Sequence, residues 1–61
     1  MTVYIVVGQV YLEYNDSFEN GIFGVYSDKD TAKLHATLHQ AADEENGYLS
    51  NFYWVEEWEV K

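Results

Sequence analysis

The run Tyr53-Trp54-Val55-Glu56-Glu57-Trp58-Glu59-Val60 constrains this chain more than any other stretch. It holds both tryptophans and three of the eleven acidic residues. Aromatic and β-branched residues suit a pleated, half-buried strand, while carboxylates cannot be buried unpaired without a large cost. A strand under both demands belongs to a sheet with a greasy side and a charged side. Strict alternation does not separate the two kinds of residue. Trp54, Glu56, Trp58 and Val60 fall on one side, and Tyr53, Val55, Glu57 and Glu59 on the other. Either a carboxylate stands among the tryptophans on the open side, or a bulge at Glu56-Glu57 switches the register. The bulge is the favoured reading. It would turn Tyr53, Val55, Trp58 and Val60 toward the core and leave Trp54 outside as an interface anchor.

The rest of the chain supplies partners for that strand. Thr2 to Tyr14 is rich in β-branched and aromatic residues and reads as a long strand, with Gly8 marking a bulge or bend. Asn15 to Gly21 is dense in turn formers and reads as a seven-residue hairpin loop. Ile22 to Tyr26 is the returning strand. Ser27 is the expected helix N-cap, with Asp30 in a capping-box-like position. The helix is expected from about Asp28 to Glu45, ending at Asn46-Gly47, where glycine can take the left-handed conformation. Ala32, Leu34, His35, Leu38, Ala41 and Ala42 form its expected core stripe. After a short connection, the last strand runs from Phe52 to Val60. The order is β-β-α-β, an α+β fold: a three-stranded sheet of order 2-1-3 with one helix on one face, its crossover right-handed by general preference.

One helix covers one face of such a sheet, yet the strands offer apolar side chains to both. Val3, Ile5 and Val7 oppose Tyr4, Val6 and Val10; Phe23 and Val25 oppose Ile22 and Tyr26. The uncovered face would carry a larger apolar patch than a monomer normally shows. It is expected to bind something, most simply a second copy, with Trp54 and Tyr4 as the interface aromatics.

Sixty-one residues make a single small domain, which buries only about 60% of the surface its unfolded chain exposes. Domains of this size commonly need disulfides, a metal or oligomerisation. Cysteine is absent, so disulfides and thiolate metal sites are excluded. No basic region precedes the first apolar run, as a secretory signal would require, and no stretch approaches the roughly 20 apolar residues of a membrane span. A cytoplasmic location is expected.

Eleven acidic residues against three lysines leave a formal charge of −8. Direct binding to a nucleic-acid backbone is thereby disfavoured, and a basic protein surface is the electrostatic complement. The plainer reading is that acidity only keeps a small domain dispersed. The hairpin loop and the helix C-terminus should share one end of the sheet, gathering Glu13, Asp16 and Glu19 with Asp43, Glu44 and Glu45. Carboxylates at a helix C-terminus oppose the macrodipole. With Glu56, Glu57 and Glu59 of the last strand, these are the candidate contacts for a basic partner.

Other chemistries find less support. His35 and His39 share a helix face and could hold a metal, but no further His or Cys supplies a third ligand. Adjacent Glu56 and Glu57 point to opposite faces and do not form the facing carboxyl pair of a glycosidase. No nucleophile-base arrangement, phosphate-cradling loop or cofactor fingerprint occurs, and residues 15–21 lack the ligand order of a calcium loop. No enzyme activity and no cofactor are expected.

Val3-Tyr4-Ile5-Val6-Val7, Gly24-Val25-Tyr26-Ser27 and the closing run Tyr53 to Val60 together resemble a group of small bacteriophage and bacterial proteins of unknown function. Those proteins end in a Tyr-Trp-Ile/Val-Glu-Glu-Trp-Glu-Val-like strand. The resemblance spans nearly the whole chain and implies a β-β-α-β fold and a phage origin. It brings no activity or site residues. Small acidic phage proteins as a class often bind host enzymes or nucleic-acid-binding proteins. The leading expectation is therefore a non-enzymatic binding protein that docks on a host protein and inhibits or modulates it, its acids imitating DNA phosphates. The alternative is a homodimeric structural or accessory module, and the lesser one a histidine metal site.

Overall fold

A computed structural model describes residues 1–60. The elements are β1 (Thr2–Leu12), β2 (Ser17–Tyr26), α1 (Lys29–Glu45) and β3 (Phe52–Glu59). The strands form one sheet in the order β2-β1-β3. β1 is antiparallel to both neighbours, so the expected β-β-α-β topology holds. The helix lies on one face, giving a flat body whose Cα atoms extend 39 × 22 × 10 Å. Among the described residues, no helix is long and apolar enough to cross a membrane.

The hairpin is tighter than its composition indicates. The turn is the four residues Glu13 to Asp16, with Asp16 at φ 49°, a region that Asn and Asp tolerate better than most residues. Ser17 to Gly21, expected in the loop, instead pair with Leu12 to Gly8. Cross-strand packing outweighs their turn propensity: the Phe18 ring lies 5.3 Å from that of Tyr11, which also donates its hydroxyl to Asp16.

No bulge occurs at Glu56-Glu57. β3 pairs with β1 without interruption from Gln9↔Phe52 to Thr2↔Glu59, so the carboxylate does stand among the tryptophans. The irregularity lies in β2, where Val6 faces Gly24 and Val7 faces Ile22. Phe23 is the extra residue. Its insertion puts Ile22 and Val25 on one face and Phe23 with Tyr26 on the other, correcting the alternation assumed for that strand. Gly8 remains in register, and its role is to make room. A Cβ there would lie 2.6 Å from the Phe23 ring and 2.7 Å from the Tyr53 ring.

Asp28, not Ser27, caps the helix, its carboxylate accepting from the Thr31 backbone N–H at 2.9 Å and from the Thr31 hydroxyl at 2.8 Å. Those bonds hold Asp28 below the ordinary carboxylate pKa. Gly47, at φ 84°, closes the C-terminus: its N–H reaches the Glu44 carbonyl and that of Tyr48 reaches Asp43, the two bonds of a Schellman motif.

The helix is turned relative to the expected stripe. Ala32 and Ala36 are buried against Val6, with Tyr4, Tyr26, Tyr53 and Val55 around them. Leu34 and Leu38 point away and are 57% and 54% exposed; Ala41 and Ala42 are also exposed. Rings rising from the strands fill the space beneath α1. Small residues fit over Val6, and flat imidazoles fit over the tyrosines.

Candidate protein-docking site

The pleat and the two registers define the uncovered face. β1 places Val3, Ile5 and Val7 there, β2 places Ile22 and Val25, and β3 places Trp54, Glu56 and Trp58. Val3 stands opposite Trp58, Ile5 opposite Glu56, and Val7 opposite Trp54. Ile22, Val25 and Trp58 are 69%, 58% and 54% exposed. These are the residue types that a two-layer fold normally buries, and here nothing covers them.

Glu56 is the single acidic residue that the described strands put on this face. It is half-buried and clamped from both sides along its own strand. The Trp54 indole donates Nε1–H to one carboxylate oxygen at 2.8 Å, and the Trp58 indole donates to the other at 3.0 Å. The bonds from Trp54 and Trp58 hold Glu56 below its ordinary pKa of 4.5, so at neutral pH the face presents a fixed anion inside an apolar field.

The remaining acids lie elsewhere. Glu13 and Asp16 form the hairpin turn, Glu19 pairs with Val10 on the helix side, and Glu44 and Glu45 end the helix. The pairing of Gln9 with Phe52, soon after the helix ends, puts that helix end at the hairpin end of the sheet. Asp43 belongs to the same turn but points inward. Its Oδ2 accepts from the Tyr53 hydroxyl at 2.6 Å and from the Asn51 side-chain amide at 3.0 Å. Burial and Asp43 push the Tyr53 hydroxyl up to about 12. Glu57 stands opposite Tyr4 on the helix side, where burial and then the Glu57 charge raise the Tyr4 pKa. Glu59 accepts from the Thr2 hydroxyl and pairs with the N-terminal ammonium at 3.6 Å. Glu56, Glu57 and Glu59 are thus divided between two faces and do not form one acidic strip.

Two further expectations change. Tyr4 packs against the Val6–Ala32–Ala36 cluster and cannot share a surface with Trp54, because even-numbered β1 residues face the helix. His35 and His39 also face the sheet. His35 stacks on Tyr26 with centroids 4.8 Å apart, and His39 on Tyr53 at 5.2 Å. Among the described residues, no group of three His, Cys, Asp or Glu side chains has a metal-binding arrangement.

A family model described as a domain of unknown function, DUF7336, matches residues 1–61. The chain belongs to that family. Among curated proteins and among solved structures, the comparisons find no match. In this DUF7336 chain, two features escaped the sequence reading. One is the polar hub at the helix end, where Gln40 accepts from the Tyr53 N–H and donates to the Asn51 carbonyl, and Asn51 accepts from the Tyr11 N–H. No spacing rule announces it. The other is the Trp54–Glu56–Trp58 clamp, for which the alternating Trp-x-Glu-x-Trp pattern was a usable signal.

Proposed function

We propose that this chain is a non-enzymatic binding protein, phage-encoded, that docks on a host protein through that protein's basic surface and inhibits or modulates it. The supporting observation is an uneven distribution of charge along the molecule. At the end away from the hairpin Lys29 and Lys33, in the first turns of the helix, offset part of the charge of Asp28, Asp30, Glu57 and Glu59, while the exposed carboxylates of Glu13, Glu19, Glu44 and Glu45 gather at the hairpin end with no lysine among them. Such an end complements a cationic surface, including one that otherwise holds nucleic-acid phosphates.

The test is affinity capture from host lysate by wild-type protein and by a variant carrying Glu13→Gln, Glu19→Gln, Glu44→Gln and Glu45→Gln. Asp16 and Asp43 are left intact because their carboxylates hold the fold together. A basic partner retained by wild type, released by added salt and lost with the variant supports the reading. Identical partners from both proteins overturn it.

The second reading, a homodimeric accessory module paired through the open face, also has an observation in its favour. Among the described residues, Val6 is the one large side chain that is fully buried in the single chain, and the 39 × 22 Å outline is large enough for the roughly 800 Å² per partner of a standard interface. Sedimentation at micromolar concentration decides it: a strict monomer removes this reading.

A further inference from the structure

The open face is not uniformly apolar, and its one ionised group indicates what should cover it. Glu56 sits in the middle of β3's contribution, opposite Ile5, with Trp54 and Trp58 on either side. A carboxylate has about four lone-pair sites. The two indole N–H groups take one on each oxygen, which leaves one free on each. Any partner that seals this face removes water from those two sites. An apolar partner would strand a charge at a cost of several kcal/mol, so the covering surface has to bring donors, preferably charged ones.

Among the described residues, the open face of a second copy offers no such group. Among those residues it carries the same anion and no cation, because Lys29 and Lys33 are on the helix and the N-terminal ammonium is paired with Glu59. Face-to-face pairing would bury two carboxylates without a counter-charge. A guanidinium fits the vacancy better. It has parallel N–H donors matched to the two oxygens of a carboxylate, and its plane packs well on indole rings.

We propose that the open face is the docking site for a partner protein that presents an arginine within an apolar patch, the guanidinium meeting Glu56 between Trp54 and Trp58 while Val3, Ile5 and Val7 take the apolar surroundings. This deepens the basic-partner reading by naming the side chain recognised, and it rests on that reading only in requiring a protein partner. The two surfaces are separate: the hairpin end supplies long-range attraction, and the open face supplies the specific contact.

The test uses the full chain and a capped Val-Arg-Val peptide at millimolar concentration, followed through the two indole N–H resonances. The control is the same peptide with citrulline in place of arginine, neutral and nearly isosteric. The expected result is saturable movement of both indole signals with arginine, weakened about tenfold or more by citrulline, since a hydrogen bond to a charged group contributes about 1.5–3 kcal/mol. Glu56→Gln should weaken the arginine peptide to a similar degree. Equal responses to the two peptides overturn the proposal, and so does a response unchanged by Glu56→Gln. Movement confined to hairpin-end amides also overturns it while leaving the acidic-end reading standing. Indole signals that depend on protein concentration alone, with no peptide effect, would show the face covered by a second copy and overturn it equally. Loss of the partner in the four-glutamine capture experiment, by contrast, bears on the hairpin end and leaves the peptide result untouched.

Discussion

The two faces of this sheet reverse the usual division of labour. Beneath the helix, around Val6, Val55 and Phe23, lie tyrosines, imidazoles, alanines and a glycine, and directed bonds join Tyr53 to Asp43, and Gln40 to Asn51 and the start of β3. On the far side lie valines, isoleucines and both tryptophans, with nothing over them. Large apolar side chains are left on the open face. Apolar area removed from water is the dominant favourable term in folding, and this face still has such area to remove. The helix-covered face is held by shape and directed bonds, and the open face keeps its apolar surface available for contact.

That contrast predicts a hierarchy of mutational effects. The largest belongs to Gly8 on the covered face. Gly8→Val would drive a side chain into the Phe23 and Tyr53 rings, whose atoms already stand 2.6–2.8 Å from where a Cβ would sit. Overpacking of this kind costs about 3 kcal/mol, enough to unfold much of a domain whose whole stability is on the order of 5 kcal/mol. Thermal unfolding followed by circular dichroism should show the cooperative transition lost or sharply lowered. Next is Asp43→Ala, which leaves the Tyr53 hydroxyl and the Asn51 amide without their acceptor. About 2 kcal/mol is expected in urea denaturation, against under about 0.5 kcal/mol for the neighbouring exposed Glu44→Ala. Equal effects at the two positions would mean that Asp43 is surface charge after all.

The open face should respond far less. Ile22→Thr and Val25→Thr keep β-branching and remove exposed apolar groups, so each should shift stability by no more than about 0.5 kcal/mol in the isolated chain. A loss well above that, growing with protein concentration, would show that a second copy covers the face, and the contrast between the faces would then fail.

The topology was legible because the elements are long and punctuated. Two β-rich runs, an acid-rich helix start and Asn46-Gly47 leave few compact arrangements. What misled was strict local pattern. Counting apolar residues along the helix selected Leu34 and Leu38, because spacing alone cannot tell that aromatic rings from the sheet already fill the space and that alanines and imidazoles fit over them. Asn20-Gly21 read as a turn, yet a turn formed at Glu13–Asp16 lets Phe18 reach Tyr11. In β2, Phe23 breaks the period of two beside Gly24, a glycine that marks the place without saying which residue is the extra one. For β3 the alternation was right and the inference drawn from it was not. A bulge was invoked to spare a carboxylate from two tryptophans, whereas indole N–H groups are donors and a carboxylate is what they seek when only partly hydrated.

The smallest effect tests that pairing directly. Glu56 has its folded pKa depressed below 4.5 by the Trp54 and Trp58 bonds, so the ionised form is preferred in the folded state. The corresponding stabilisation is fully present above the unfolded-state pKa and is lost as pH falls through the lower folded value. Asp28, depressed by its Thr31 bonds, follows the same direction at the helix start, so global stability in acid reports both groups together. Indole fluorescence isolates the first. Its acid midpoint should lie below 4.5, and Trp54→Phe, which removes one of the two donors, should move it upward. A midpoint at or above the ordinary glutamate value would mean that the indoles do not hold the carboxylate in solution. Glu56 would then be an ordinary surface acid, and the open face would have no anion fixed in place to receive a cation.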